Sequence, residues 1–218
     1  MAVVQSSEIQ RRLGLSIKDR ESLVITPLLN ERDAFSVDSI DLRLGGHFLL
    51  PQVPPQPYAT LDSENPKTVP LHVHVPWGKY LVVPAHQTVL GVTLEFIKLP
   101  FDLSGQILTK SSIARTFVVI ETAPWIHPSY RGCLTLEIAN VSNTPLLLHP
   151  GVRIGQLVLQ AISPPPDPKE DAKLKGNYLG PVYPEAPKFK NLKEELGGIG
   201  ITEVDLPGVC ANCKLPAT

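Results

Sequence analysis

The chain has 218 residues, with 20 Lys and Arg against 21 Asp and Glu and a formal net charge of -1. So even a balance gives no broad cationic field, which excludes duplex nucleic acid as a natural partner and leaves room for a small anionic metabolite held by a few local cations. No apolar run reaches the length of a membrane span, and the mixed, early-charged start MAVVQSSEIQRRLGLS has no signal-peptide shape, so a cytoplasmic protein is expected.

The first predicted element is a short capped helix in SSEIQRRLGLS, where Ile9, Leu13 and Leu15 follow a Ser-Ser-Glu start. From residue 36 onward the texture changes to short runs rich in β-branched and aromatic residues, bounded by Gly, Pro, Asn and Ser. SIDLRLG, HFLL, LHVHV, YLVV, TVLGVTLEFI, GQILT, FVVIET, CLTLEIAN, PLLLHPG and IGQLVLQAI all read as strands. With 23 prolines and many closely spaced strands, the expected fold class is mainly β, a barrel or jelly roll. Residues 51–70, PQVPPQPYATLDSENPKTVP, are too proline-rich for a strand interior and read as a surface excursion. Past Pro164 the chain turns charged and proline-broken, and it is expected to wrap over something rather than build a core. The size suits one β domain over residues 1–182, with a Pro/Gly-rich C-terminal extension over 183–218.

Three cysteines, Cys133, Cys210 and Cys213, form no even disulfide framework, which fits a reducing compartment. The VCANCK pair has the spacing of half a zinc site or a redox dithiol. It lacks two ligands within the chain, because no second C-x-x-C or H-x-x-x-H accompanies it, and a tail that carries two thiols is the simpler reading.

Four polar stretches interrupt the strands. SIDLRLG sets Asp41 and Arg43 two apart, on one face of a strand. TKSSIAR gathers Lys110, Ser111, Ser112 and Arg115 around a turn, a set suited to phosphate oxygens. APWIHPSYRG and HPGVRIGQL complete the series, the latter with Arg153 and Gln156. Just after the third comes LTLEIAN, which puts the carboxylate of Glu137 in an apolar strand, where it must face water or sit buried with a partner. The structural alternatives are an edge glutamate for Glu137, a capped turn beside a strand for Ser111 to Arg115, a surface turn for His127, and a salt bridge at a subunit seam for Asp41 and Arg43.

In this order and spacing, from about residue 8 to 182, the stretches resemble the trimeric dUTPase superfamily and, within it, the dCTP deaminases, whose catalytic glutamate lies in the strand after the Arg-Gly turn. The resemblance implies a dUTPase-like distorted β-barrel or jelly roll with a short N-terminal helix and an extended tail. It further implies a homotrimer with sites at subunit interfaces and the reaction dCTP + H2O → dUTP + NH3. Glu137 would be a buried proton shuttle steadied by Arg115, its water held by the Ser111 region and the Ala123 carbonyl. Lys110, Ser112, His127, Gln156, Lys173 and Tyr178 would bind substrate, with Arg153 and Gln156 shaping the trimer and pocket. Magnesium would accompany the triphosphate, and no zinc would serve the reaction centre, since the H-x-E plus P-C-x-x-C signature is missing. dTTP is a possible inhibitor. The sequence departs from the family pattern at Lys110 (commonly arginine), His127 (an aspartate that meets the sugar) and Leu174 (a tyrosine). Other outcomes consistent with these residues are a bifunctional deaminase and dUTP diphosphatase, a deaminase of another cytosine nucleotide, and a nucleotide-binding regulator without chemistry.

Overall fold

The computed structural model describes residues 2–52, 70–120, 125–164, 180–188 and 191–199. Most of the predicted excursion, 53–69, therefore lies outside the described residues. The chain divides into two units, one of Met1–Gln52 with Pro70–Ala186 and the other of Val53–Val69 with Pro187–Thr218.

In the first unit a two-residue strand β1 (Ala2–Val3) precedes helix α1 (Ser6–Leu13). The helix stands where the sequence put it, but its cap differs: Gln5 occupies the N-cap and no side chain caps it. The Ser6 N–H, one of the helix's free first-turn donors, bonds the Val37 carbonyl at 2.9 Å, a tertiary contact. Ile9 is fully buried, and Arg12 reaches Asp102 through two parallel bonds of 2.8 and 2.7 Å, which pins the helix to the sheet.

Twelve further strands and two one-turn helices follow: β2 (Val24–Thr26), α2 (Glu31–Ala34), β3 (Ser39–Arg43), β4 (His47–Leu50), β5 (Leu71–His74), β6 (Leu81–Val83), β7 (Thr88–Lys98), β8 (Leu103–Thr109), α3 (Ser111–Ala114), β9 (Val118–Ile120), β10 (Trp125–Ile126), β11 (Arg131–Asn140), β12 (Leu146–Leu148) and β13 (Arg153–Ala161). One sheet has the order β1-β13-β8-β10 with β3 also on β13. A second has the order β5-β4-β7-β11-β9 with β2 also on β7, and β12 pairs with β6. All registered pairs are antiparallel, as expected of short strands joined by Pro- and Gly-marked turns.

The two large sheets share one core. Ile40, Leu42, Leu157 and Leu159 enter it from the first sheet, and Phe48, Ile97, Leu136 and Ile138 from the second, all with no exposed surface. Each such side chain contributes about 1.5–3 kcal/mol relative to leaving it in water. Hydrogen bonding among the described strands does not close into one ring, so the mainly β, dUTPase-like expectation takes its jelly-roll rather than its barrel form. No described helix is long and apolar enough to cross a membrane.

Residues 180–186 run along the free edge at the start of β11. Gly180 N–H donates to the Arg131 carbonyl (2.6 Å), Cys133 N–H to the Pro181 carbonyl (2.7 Å), and Glu185 N–H to Thr135 Oγ1 (3.1 Å). The segment wraps onto the β domain, as its composition suggested. Gly132 at φ +142° allows this approach, since a Cβ there would come within 2.4 Å of Pro181 Cδ.

In the second unit, α4 (Leu192–Gly197) is a helix within the stretch expected to be only a Pro/Gly-rich extension. Its signal is local: Asn191 Oδ1 accepts from the Glu194 N–H at 3.4 Å, and two glycines end the element.

Candidate active site

Strand β11 decides where the singled-out glutamate points. Leu134, Leu136 and Ile138 are buried in the core, so the period of two turns Thr135 and Glu137 to the opposite face, where both are half-buried. Glu137 stands opposite Leu90 of β7, which in turn stands opposite Leu49 of β4. Within the single chain Glu137 is therefore seated half-buried at a sheet face rather than in the core, because neighbouring core residues on the strand turn it outward. The enclosed carboxylate is a different one. Glu95, in the matching Thr-Leu-Glu triplet of β7, is 1 % exposed and accepts the Arg43 N–H at 2.9 Å. Burial pushes its carboxyl up to about 7, against the pull of that bond. Sequence reasoning missed Glu95, although VTLEFI repeats the pattern of LTLEIAN. What separates them is an irregularity of β7, where Thr93, Leu94 and Glu95 stand against the single residue Leu134 between the Cys133–Phe96 and Thr135–Val92 pairs. There Thr93 Oγ1 takes the Leu134 N–H (2.9 Å) and donates to the Glu95 carbonyl (2.8 Å).

Three of the four polar stretches meet at Asp41. Its side chain is 4 % exposed, and Oδ2 accepts from Lys110 Nζ at 2.5 Å and lies 3.3 Å from Arg153 Nη1. Gln156, half-buried on β13, stands opposite both Asp41 of β3 and Leu108 of β8. Strand pairing alone therefore brings SIDLRLG, TKSSIAR and VRIGQL together. Arg43 shares its face with Asp41 but does not pair with it: Nη1 donates to the Gly151 carbonyl at 2.7 Å.

Lys110 is the N-cap of α3, and its carbonyl accepts from the Ile113 and Ala114 N–H groups at 2.8 and 2.9 Å. The turn leaves Ser111, Ser112 and Arg115 exposed, with neither hydroxyl capping the helix. Among the described residues no ion pair joins Arg115 to Glu137. His127 is exposed in the turn before β11, where Tyr130 donates its N–H to the His127 carbonyl and its hydroxyl to the Cys133 carbonyl at 2.8 Å. Burial raises the Tyr130 hydroxyl, which stays a neutral donor. Ala123, Lys173 and Tyr178 lie outside the described residues, as do Cys210 and Cys213. A groove lined by Lys18, Arg20, Lys98, Phe101, Ser129 and Arg131 contains none of the expected site residues.

Comparison with known proteins shows the family. Residues 5–162 match the family described as dCTP deaminase-like. A protein of Dictyoglomus turgidum named "dCTP deaminase, dUMP-forming" is 30% identical over 172 residues, 78% of this chain and 89% of that one. One of Haloarcula marismortui named "dCTP deaminase" is 32% identical over 199 residues, 90% and 98% of the two chains. The crystal structure of 2'-deoxycytidine 5'-triphosphate deaminase from Agrobacterium tumefaciens superposes with a TM-score of 0.56 at 20% identity, covering 79% of this chain and about half, 52%, of its own length, which marks a shared fold. The chain belongs to the dCTP deaminase-like family.

Proposed function

We propose that the protein deaminates dCTP hydrolytically, with Glu137 moving the protons. The observation that carries this reading is the seat of Glu137: fixed between the fully buried Leu136 and Ile138, it is held at the sheet face yet remains half-open to a substrate. In the reaction Glu137 takes a proton from water and passes it to N3 as the hydroxide oxygen bonds to C4 of cytosine, then takes the remaining proton from the C4 hydroxyl and delivers it to the departing amine. The C4–N bond then breaks, leaving uracil and ammonia. Ser111 and the Ala123 carbonyl hold the water, and Arg115 supports the charge of the carboxylate. Ser112, Gln156, Lys173 and Tyr178 bind the nucleotide. Lys110 brings its charge to the triphosphate from a position anchored on Asp41.

Arg115 is exposed and meets no carboxylate among the described residues. That supports a homotrimer in which one subunit's Arg115 and Ser111 face another's Glu137. Among the described residues no three carboxylate, imidazole or thiol groups close on one point. In this reading magnesium would travel with the triphosphate, its ligands phosphate oxygens and water.

The product we infer is dUTP, because His127 replaces the acid that would position a second water at the phosphates. The alternative product is dUMP, favoured by relatives named as dUMP-forming. An assay for ammonia and pyrophosphate on dCTP, CTP, dCMP and dUTP separates these readings. Ammonia without pyrophosphate from dCTP supports the proposal, pyrophosphate in equal amount supports the bifunctional one, and no ammonia from any substrate leaves a binding protein.

A further inference from the structure

Outside the residues assigned above, the paired strands β4 and β5 gather three histidines. His72 and His74 are two apart on β5, and His47 of β4 stands directly opposite His74. The period of two puts all three on one sheet face. Two donors at i and i+2 on one strand, with a third on the paired strand, are a geometry in which three imidazoles can reach one ion. His47 is half-buried while His72 and His74 are exposed, so the cluster is open to solvent.

The distances permit shared coordination. His47 Nδ1 lies 3.2 Å from His72 Nε2, and the two rings are within 10° of parallel with centroids 5.2 Å apart. Two imidazole nitrogens about 2.05 Å from one tetrahedral ion would lie about 3.3 Å apart, with ring centroids about 5.2 Å apart. A linear N–H···N hydrogen bond at the observed nitrogen separation would hold the centroids farther away, at about 5.5 Å. A slightly bent hydrogen bond spans the observed centroid distance, so the pair already holds two nitrogens at the separation one ion would need. His74 stacks on His47 at 4.6 Å between centroids, at 29°. As the rings stand three nitrogens do not meet on one point, so the third ligand would require a different rotamer of the exposed His74. Tyr183 closes one side, edge-on to His47 at 4.7 Å and to His72 at 5.8 Å.

We propose that His47, His72 and His74 form a binding site for one divalent transition-metal ion of the zinc class, with water completing the tetrahedron. Soft-to-borderline nitrogen donors without a carboxylate select zinc, cobalt, nickel or copper over magnesium and calcium. The site is separate from the proposed chemistry. His72, Leu49, Leu90 and Glu137 stand in one row across β5, β4, β7 and β11, and three strand spacings put His72 about 14 Å from Glu137. The ion would tie the edge strand β5 to β4 and underpin Tyr183, in the segment that lies along β11.

The test is cobalt and zinc titration of the full chain carrying Cys210→Ser and Cys213→Ser, stripped of metal beforehand, by calorimetry and visible absorption. The expected result is one ion per chain with ligand-field bands of nitrogen and oxygen donors and no thiolate charge-transfer band. His47→Gln and His72→Gln each weaken binding by more than the roughly 10–100-fold that loss of a supporting group costs, while His86→Gln leaves it unchanged. Circular dichroism of the metal-free variants checks that they fold. No stoichiometric binding, or binding equally strong in all three variants, overturns the proposal. Ammonia release by the same metal-free protein reports on the deaminase reading separately.

Discussion

Removing Lys110 should cost more than removing the acid it holds. The Asp41 side chain is 4 % exposed and that of Lys110 23 %, with Arg153 at 3.3 Å as the only other cation bonded to the carboxylate among the described residues. Lys110→Met leaves an enclosed carboxylate with one longer contact. Breaking a buried pair from one side costs about 3–5 kcal/mol, and the remaining Arg153 sets the expectation at the low end, about 3 kcal/mol. Asp41→Asn leaves a neutral amide that still accepts from Lys110, whose ammonium can also reach water, so about 1 kcal/mol is expected. The double variant should fall short of the sum by about 1–2 kcal/mol, since the stranded charge no longer exists. Urea unfolding at matched protein concentration measures all four proteins. A Lys110→Met cost within 0.5 kcal/mol of zero, the range of roughly exposed pairs, would refute the buried junction, as would strict additivity.

Glu95 gives a pH-dependent outcome. Its carboxyl is raised from 4.5 to about 7 in the folded chain, so the unfolded chain ionises first as pH rises. Stability should therefore fall between pH 4.5 and 7, by about 3 kcal/mol in all, and then level off. The advantage of Glu95→Gln over wild type in urea unfolding should grow across that window; a constant difference means Glu95 titrates normally. For His127→Asp, deamination should persist and nucleotide binding tighten by roughly 0.5–1.5 kcal/mol, read by calorimetry; unchanged affinity moves His127 out of the pocket. Mixing inactive Ser111→Ala and Glu137→Gln subunits should restore part of the activity in hybrid trimers, and no recovery after verified exchange means both residues serve from one chain.

Much of this architecture was legible because a strand's two faces are written in its sequence. LTLEIAN and TVLGVTLEFI announced buried strands, and the polar breaks between them announced turns. Long-range register was not legible: nothing local says that Asp41 will face Gln156, or that Lys110 will be anchored on Asp41. The same limit reversed the roles of two glutamates. Both sit in Thr-Leu-Glu triplets, and only the irregularity within β7 at Thr93 to Glu95, a tertiary feature, distinguishes the enclosed Glu95 from Glu137 at the face. The start of α1 shows the same limit, since its first-turn Ser6 N–H is satisfied by Val37, distant in sequence. The histidine face was passed over because H-x-H on β5 gains meaning only once β4 places His47 beside it.

The central claim is that Glu137 is the proton-transfer group of a dCTP deaminase. Its most direct test is ammonia release from saturating dCTP by wild type and Glu137→Gln, with dCTP binding to each measured by calorimetry. The account predicts steady ammonia from the wild type, binding by the variant within a few-fold of it, and turnover lower by at least about 100-fold, the scale of lost general acid–base catalysis. Turnover in the variant within tenfold of wild type, or no ammonia from the wild type, would contradict it.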